Sequence, residues 1–144
     1  AKAYLKKQKE EYFAKIAYDA KQDIEVRKDA YEELSAFYFN EQQFSNAIET
    51  YQKLIALHRS YEYFNLHLAT AYVYSGDLDK ATAIFNQWKG KAWKRAGISW
   101  RRDKPKTWTD AFLIYWNINK NIQPKDPKVL EDAKALLKSW IAEE

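Results

Sequence analysis

Apolar side chains recur three and four residues apart along most of this chain, and this spacing limits its fold more than any other feature. Between residues 29 and 40, for example, Ala30, Tyr31, Leu34 and Phe37 fall on one side of an α-helix. The 144 residues include only three glycines and three prolines, too few for the many turns of a β-sandwich or barrel. The pattern therefore predicts an all-α fold in one domain.

Polar or turn-forming residues separate the periodic stretches and predict where helices begin and end. Asp29, followed three residues later by Glu32, predicts a helix start. Gly76 suits a left-handed helix end and Asp77 the cap of the next helix.

The starts of the last two helices are also predicted. Thr107, three residues ahead of Asp110, suits the cap of one helix. Asp126 suits the cap of the last helix, with Pro127 at its first helical position. The predicted helices cover residues 2–22, 29–40, 44–57, 61–74, 77–89, 107–119 and 127–141.

Two of the predicted helix pairs show the same residue types at a spacing of 34 positions. Each pair has Leu followed by a small residue, a tyrosine four residues after that Leu, and an alanine with an aromatic residue four positions later. This order resembles the tetratricopeptide repeat (TPR) family. The matching residues are Tyr31, Leu34, Ser35, Tyr38, Ala47 and Tyr51 in the first unit, and Asn65, Leu68, Ala69, Tyr72, Ala81 and Phe85 in the second.

Ser35 and Ala69 stand where glycine is usual in the family, Asn65 replaces a bulky residue, and both units lack the closing proline. The resemblance implies a TPR-like superhelix of antiparallel helix hairpins, with about two and a half repeats plus an N-terminal helix. A generic helical bundle with the same apolar stripes is the alternative fold. The implied parts are an N-terminal helix 1–27, repeats 28–61 and 62–91, a basic Trp-rich connection 89–106, and a C-terminal helix pair 107–144.

The resemblance also implies a concave groove lined by the first helix of each repeat, where such domains hold a peptide or partner protein. The candidate groove residues are Glu32, Phe39, Asn40, Tyr63, Leu66, Thr70 and Tyr74. Their aromatic rings favour an apolar anchor on the partner, unless the N-terminal helix buries some of these rings. Members that clamp a chaperone's carboxylate terminus have lysine and asparagine where this chain has Glu32 and Ala36, so we expect no tight binding of such a tail. The expected function is a scaffold or adaptor that binds proteins, including a second copy of the chain.

Residues 89–106 form a second candidate site, because they contain eight basic side chains and a single acid, Asp103. Four tryptophans at positions 88, 93, 100 and 108 are interleaved with or flank these charges, a mixture that suits a nucleic acid or an acidic membrane surface. Alternatively, Trp93 and Trp100 cap the helix stack while the cations stay in water. The candidate basic patch is Lys94, Arg95, Arg101, Arg102, Lys104 and Lys106.

The residue pattern argues against an enzyme, so no catalytic residue, cofactor or metal ligand is predicted. The two histidines, His58 and His67, lie nine residues apart on different predicted helices, unlike a zinc pair on one helical face. The chain has no cysteine, and its serines lack a nucleophile-elbow context. Apolar runs fall short of the ~18 residues of a membrane span, and the N-terminal residues do not resemble a signal peptide. We expect a soluble domain of open localisation, either cytoplasmic or exported after removal of a signal.

Overall fold

A computed structural model describes residues 2–58, 61–93, 105–119 and 127–142 of the chain. These residues form seven α-helices and no β-strand, which confirms the all-α prediction. The chain divides into two compact units, Ala1–Phe64 and Asn65–Glu144. The helices are α1 (Lys2–Ala17), α2 (Ile24–Asn40), α3 (Phe44–Leu57), α4 (Tyr61–Ser75), α5 (Leu78–Trp88), α6 (Trp108–Asn119) and α7 (Pro127–Ala142).

The junction between α1 and α2 differs from the prediction. Helix α1 ends at Ala17 instead of residue 22, and α2 begins at Ile24 instead of near Asp29. Asp23 is the true N-cap, since its side chain accepts a hydrogen bond from the backbone N–H of Glu25 at 2.8 Å. At the end of α1, the Nε of Arg27 donates to the carbonyl of Ala17 at 2.9 Å. Side chains of Asp23 and Arg27 thus stabilise this turn, which contains no glycine or proline.

Helices α2 and α3 pack against each other and form much of the core of the first unit. Leu34, Ala47 and Leu54 are fully buried there, and Tyr51 is nearly so. The turn between the helices contains Gln42, whose φ of 58° is in the left-handed region. Its backbone N–H donates to the carbonyl of Phe39, and the next N–H, of Gln43, donates to the carbonyl of Tyr38. These two bonds satisfy carbonyl groups that the end of α2 leaves free.

Helices α4 and α5 are joined by a turn with the same hydrogen-bond pattern. Gly76 has a φ of 87°, as predicted for a left-handed helix end. Its N–H donates to the carbonyl of Val73, and the N–H of Asp77 donates to the carbonyl of Tyr72. The side chain of Asp77 accepts from the N–H of Lys80 at 3.3 Å, so its predicted capping role is confirmed. Both turns therefore place a left-handed residue and the same pair of bonds 34 residues apart.

Aromatic rings pack in sequence along one side of α6 within the second unit. Trp108 lies 6.3 Å from Phe85 of α5 and 5.5 Å from Phe112, measured between ring centroids. Phe112 lies 6.5 Å from Trp116, which stacks on Tyr74 of α4 at 5.2 Å. Trp108 and Phe112 are fully buried, and burial of rings this large stabilises the unit strongly. The predicted cap of α6 is also confirmed, because the Thr107 hydroxyl accepts from the N–H of residue 110 at 3.2 Å.

Helix α7 begins at Pro127, the predicted first helical residue, while its predicted cap Asp126 lies outside the described residues. Leu137 is buried, and Lys128 pairs with Asp132 one turn later at 3.0 Å. Within the described residues, none of the helices combines the length and the apolar character needed to cross a bilayer.

Candidate functional site

The candidate groove residues of the second unit are buried. Leu66 and Thr70 have no exposed surface, and the Thr70 hydroxyl donates to the carbonyl of Leu66 at 2.9 Å. The ring of Tyr74 is covered by Trp116 at an interplanar angle of 25°. Burial raises the pKa of the Tyr74 phenol to about 12. These three side chains offer no surface to a partner, because α6 and the packing of α4 itself already occupy them.

The first unit leaves part of the candidate groove accessible. Phe39 is buried, with its ring 5.5 Å from that of Phe44 in an edge-to-face contact. Tyr63 is half-buried beside Phe64, at 5.7 Å between ring centroids. Glu32 is half-exposed and Asn40 is exposed at the end of α2. The accessible candidates are thus mostly polar, whereas the rings of Phe39 and Tyr74, which were expected to contact an anchor residue of the partner, are buried.

A continuous exposed stripe runs along α2 through the two accessible polar positions. We call it the α2 stripe, and it consists of Asp29, Glu32, Glu33, Ala36 and Asn40. Each member lies three or four residues from another member, so the five residues share one side of the helix. Three carboxylates and one side-chain amide make this surface acidic and capable of hydrogen bonding.

Lys28 partly neutralises the α2 stripe from its edge. Its Nζ lies 3.0 Å from Asp29, 3.5 Å from Glu25 and 3.9 Å from Glu32. The hydrogen bond to Asp29, followed by the charges of Glu32, Asp29 and Glu25, raises the pKa of the Lys28 ammonium. Only Asp29 and Glu32 of these partners belong to the stripe, which has Glu33 as a third carboxylate. One lysine cannot balance three carboxylates, so the net charge of the stripe remains negative.

Most of the basic patch lies outside the described residues, namely Lys94, Arg95, Arg101, Arg102 and Lys104, together with Trp100. The two ends of the connection are described, and backbone hydrogen bonds hold them side by side. The N–H of Trp93 donates to the carbonyl of Lys106 at 2.9 Å, and the N–H of Trp108 donates to the carbonyl of Lys91 at 2.8 Å. An antiparallel bridge joins Ala92 and Thr107 between them. The segment between α5 and α6 therefore begins and ends at neighbouring positions of the second unit.

The tryptophans at these ends face inward, while the lysines face solvent. Trp93 and Trp108 are buried, so neither ring is available to stack on a nucleic-acid base. Trp88 is half-buried, with the Nζ of Lys91 placed 4.9 Å from its ring centroid. Lys91 and Lys106 are exposed. A cationic surface with inward-facing rings is the arrangement found at the base of the connection.

The two histidines have unrelated surroundings. The Nε2 of His58 lies 2.9 Å from a carboxylate oxygen of Glu25. The ring centroid of His67 lies 4.3 Å from that of Tyr115. Burial lowers the pKa of the His67 imidazole to about 3. Among the residues that the structure describes, no three His, Cys, Asp or Glu side chains are grouped so that they could hold a metal ion.

One exposed surface was not predicted from the sequence. Tyr4, Leu5 and Tyr12 of α1 are 66%, 62% and 62% exposed. From the sequence, the apolar residues of this segment are compatible with one long amphipathic helix, and no exposed apolar surface is predicted on it. The signal in the sequence was the spread of apolar side chains around the helix. Tyr4 lies nine residues before Phe13 and thirteen before Ala17, so at about 100° per residue it points roughly away from both.

Comparisons with known proteins gave no matches. The chain matches no protein-family model. Searches of curated proteins and of solved structures also found no match.

Proposed function

We propose that this chain is a non-enzymatic protein-interaction module built from TPR-like helix hairpins, which binds a peptide or partner protein and acts as a scaffold or adaptor. The observation that carries the proposal is the recurrence of one hairpin design at a spacing of 34 residues. Gln42 and Gly76 share a left-handed φ, and each turn has the same two backbone hydrogen bonds. Such repeated hairpins are typical of helical-repeat proteins, which expose one helix of each pair to partners.

The packing of the two hairpins supports the same interpretation. Ala47 in α3 and Ala81 in α5 are both fully buried, one turn after their helices begin. Tyr51 and Phe85 are buried one turn later, again at matching positions. Small residues at such positions allow close helix packing, and the aromatic residues fill the space beside them.

The α2 stripe is the part of the proposed binding surface that is accessible. Its carboxylates favour a partner segment that carries lysine or arginine, and Asn40 can hydrogen-bond to the backbone of that segment. A carboxylate-terminated peptide is disfavoured by Glu32 and its acidic neighbours. We therefore propose a basic partner segment in place of the apolar or aromatic anchor residue that the sequence favoured.

Peptide selection with the intact chain tests this function. A random library of about 12-residue peptides is selected against the protein, and the enriched peptides are titrated by fluorescence anisotropy. The enriched peptides should be rich in lysine and arginine. Glu32→Lys combined with Asn40→Ala should weaken their binding at least about tenfold, which corresponds to about 1.4 kcal/mol.

Glu49→Lys combined with Gln52→Ala is the matched control, because both residues are exposed on α3 and the pair likewise reverses one charge and removes one side-chain amide. This control should change the affinity less than about twofold. Equal weakening by the two double variants would show that general charge, and not the α2 stripe, governs binding. Failure to enrich any peptide would contradict the proposal as a whole.

A second candidate function is binding of an anionic partner, a nucleic acid or an acidic membrane surface, through the basic connection. The observation that favours it is the exposure of Lys91 and Lys106 beside the hydrogen-bonded ends of a strongly basic segment. Buried Trp93 and Trp108 limit this function to charge recognition of phosphates or similar groups, without base stacking by those two rings.

A further inference from the structure

Helix α1 packs on α2 with one side only. On that side Ala17 is fully buried, the Lys6 ammonium pairs with Glu41 at 3.0 Å, and the Tyr38 phenol donates a hydrogen bond to Glu10. The opposite side of the helix is turned to solvent. We call it the outer face of α1, and it consists of Tyr4, Leu5, Gln8, Lys9, Tyr12 and Lys15.

The outer face has the character of an interaction surface. Its two tyrosines and its leucine are each more than 60% exposed, and Leu5, Gln8 and Tyr12 line a shallow depression. Grouped large apolar side chains are rarely left in water by a soluble protein unless they serve a contact. Tyrosine is favoured in protein interfaces because it combines a large ring with a hydrogen-bonding group. Gln8 donates to the Tyr4 hydroxyl at 2.9 Å, which leaves the hydroxyl proton free to bind an acceptor.

The charged side chains on this face are the two lysines Lys9 and Lys15. Lys9 and Lys15 flank the depression, and neither forms an ion pair within the described part of the chain. Glu11 is the single acid at the edge of the depression, so the face carries a net positive charge. Carboxylates of a bound partner would complement the lysines directly, and they could also accept from the Tyr4 hydroxyl.

We propose that the outer face of α1 docks an amphipathic helix of another protein that carries glutamate or aspartate beside a leucine-rich stripe. The rows Tyr4, Gln8, Tyr12 and Leu5, Lys9 follow the i, i+4 ridges into which a second helix packs. The apolar stripe of the partner would cover Leu5 and Tyr12, while its acids would reach Lys9 and Lys15. This surface is separate from the α2 stripe and acts whether or not that stripe binds a peptide.

Two other occupants fit the face less well. Insertion into a membrane is disfavoured, because Gln8 lies between Tyr4 and Tyr12 on the face that would enter the lipid, and the carboxylate of Glu11 lies at its edge. A second copy that docks through its own outer face is disfavoured, because Lys9 and Lys15 of one chain would approach the same lysines of the other.

The test is a fluorescence-anisotropy titration of the intact chain with a labelled helical peptide of about 18 residues, which has leucines along one stripe and glutamates on both sides of it. A twin peptide with lysine in place of every glutamate is the ligand control. The acidic peptide should bind at least about tenfold more tightly than its twin at low salt. Lys9→Glu combined with Lys15→Glu should reverse this order, and Leu5→Ser combined with Tyr12→Ser should weaken both peptides.

Lys134→Glu combined with Lys138→Glu is the matched protein control, because these lysines are exposed on α7 and the change in charge is the same. It should leave the preference for the acidic peptide unchanged, and so should Glu32→Lys in the α2 stripe. Equal binding of the two peptides, or equal loss in the α7 control, would overturn the proposal. Two further outcomes would overturn it if the acidic peptide does not bind. Vesicle binding that the Leu5 and Tyr12 variant loses would indicate a membrane as the occupant. Self-association that this variant loses would indicate a second copy.

Discussion

Burial of the His67 side chain makes the stability of the protein depend on pH. Burial lowers the pKa of its imidazole to about 3, from an ordinary value of 6.5. As the pH falls below about 6.5, the unfolded chain takes up a proton at this site while the folded chain does not. The stability associated with neutral His67 is therefore complete above pH 6.5 and is lost as the pH falls toward 3.

We predict that His67→Gln reduces the loss of stability between pH 7 and pH 5. For the unmodified chain, His67 should account for a loss of about 2 kcal/mol in the free energy of unfolding across this interval. Urea unfolding at the two pH values measures the difference for each variant. His58→Gln is the control, because it removes the histidine that pairs with Glu25 and leaves His67 in place. The decrease in the free energy of unfolding that is due to His67 should persist in this variant. An unchanged difference in His67→Gln would contradict the assignment.

Gln42 adopts a backbone conformation that favours glycine. Its φ of 58° is in the left-handed region, and its Oε1 atom is buried with no hydrogen bond to any residue that the structure describes. We predict that Gln42→Gly stabilises the protein by about 0.5–1 kcal/mol. The reciprocal change Gly76→Gln should destabilise it by at least as much, because Gly76 has a φ of 87°. Thermal or urea unfolding checks both, and a destabilised Gln42→Gly would contradict the strain argument.

At the scale of whole elements, each hairpin buries a small residue one turn into its second helix. Ala47 and Ala81 are fully buried on α3 and α5, so a larger side chain has no free volume to occupy. We predict that Ala47→Leu and Ala81→Leu each destabilise the protein by about 1–3 kcal/mol. Ala56→Leu and Ala83→Leu are matched controls, since those alanines are exposed on the same two helices. Urea unfolding that shows equal effects at buried and exposed sites would contradict this role.

The sequence predicted elements well wherever local chemistry determines a boundary. Asp77, Thr107 and Pro127 mark helix starts through caps and a fixed φ, and the structure has helices beginning at or beside each of them. The start of α2 was predicted at Asp29, because the pair Asp29 and Glu32 resembles a cap signal. Asp23 caps the helix instead, and the pattern alone could not rank two aspartates six residues apart.

Accessibility of the candidate site could not be predicted in the same way. Helical periodicity shows which residues share a side, but it does not show which neighbouring ring will cover that side. The ring of Phe39 contacts that of Phe44 across the turn to the next helix. The ring of Tyr74 stacks on that of Trp116 in α6, which lies 42 residues later in the chain. Burial by a distant partner is a tertiary effect, so an aromatic groove and an aromatic core have the same sequence pattern.

At the scale of the whole molecule, charge is distributed unequally between the two units. The full chain has a net charge of +4, yet residues 89–106 alone hold eight basic side chains and one acid. The remaining residues are therefore negative overall, although α1 also carries several exposed lysines. Binding to a polyanion should depend on where the cations lie and not only on their number, because several neighbouring charges must contact it at once.

We predict that Arg101→Glu, Arg102→Glu, Lys104→Glu and Lys106→Glu together strongly reduce the salt concentration at which the chain elutes from immobilised heparin. The control reverses four lysines of α1, at positions 2, 7, 9 and 15, and so changes the net charge by the same amount. If the basic connection is the anionic-partner surface, the first variant should elute near the void volume, while the second should keep most of its retention. Similar elution of the two variants would indicate that heparin responds only to net charge, and the second candidate function would then be wrong. Such a result would leave peptide binding at the α2 stripe as the function to pursue, because that stripe is acidic and contributes nothing to retention on a polyanion.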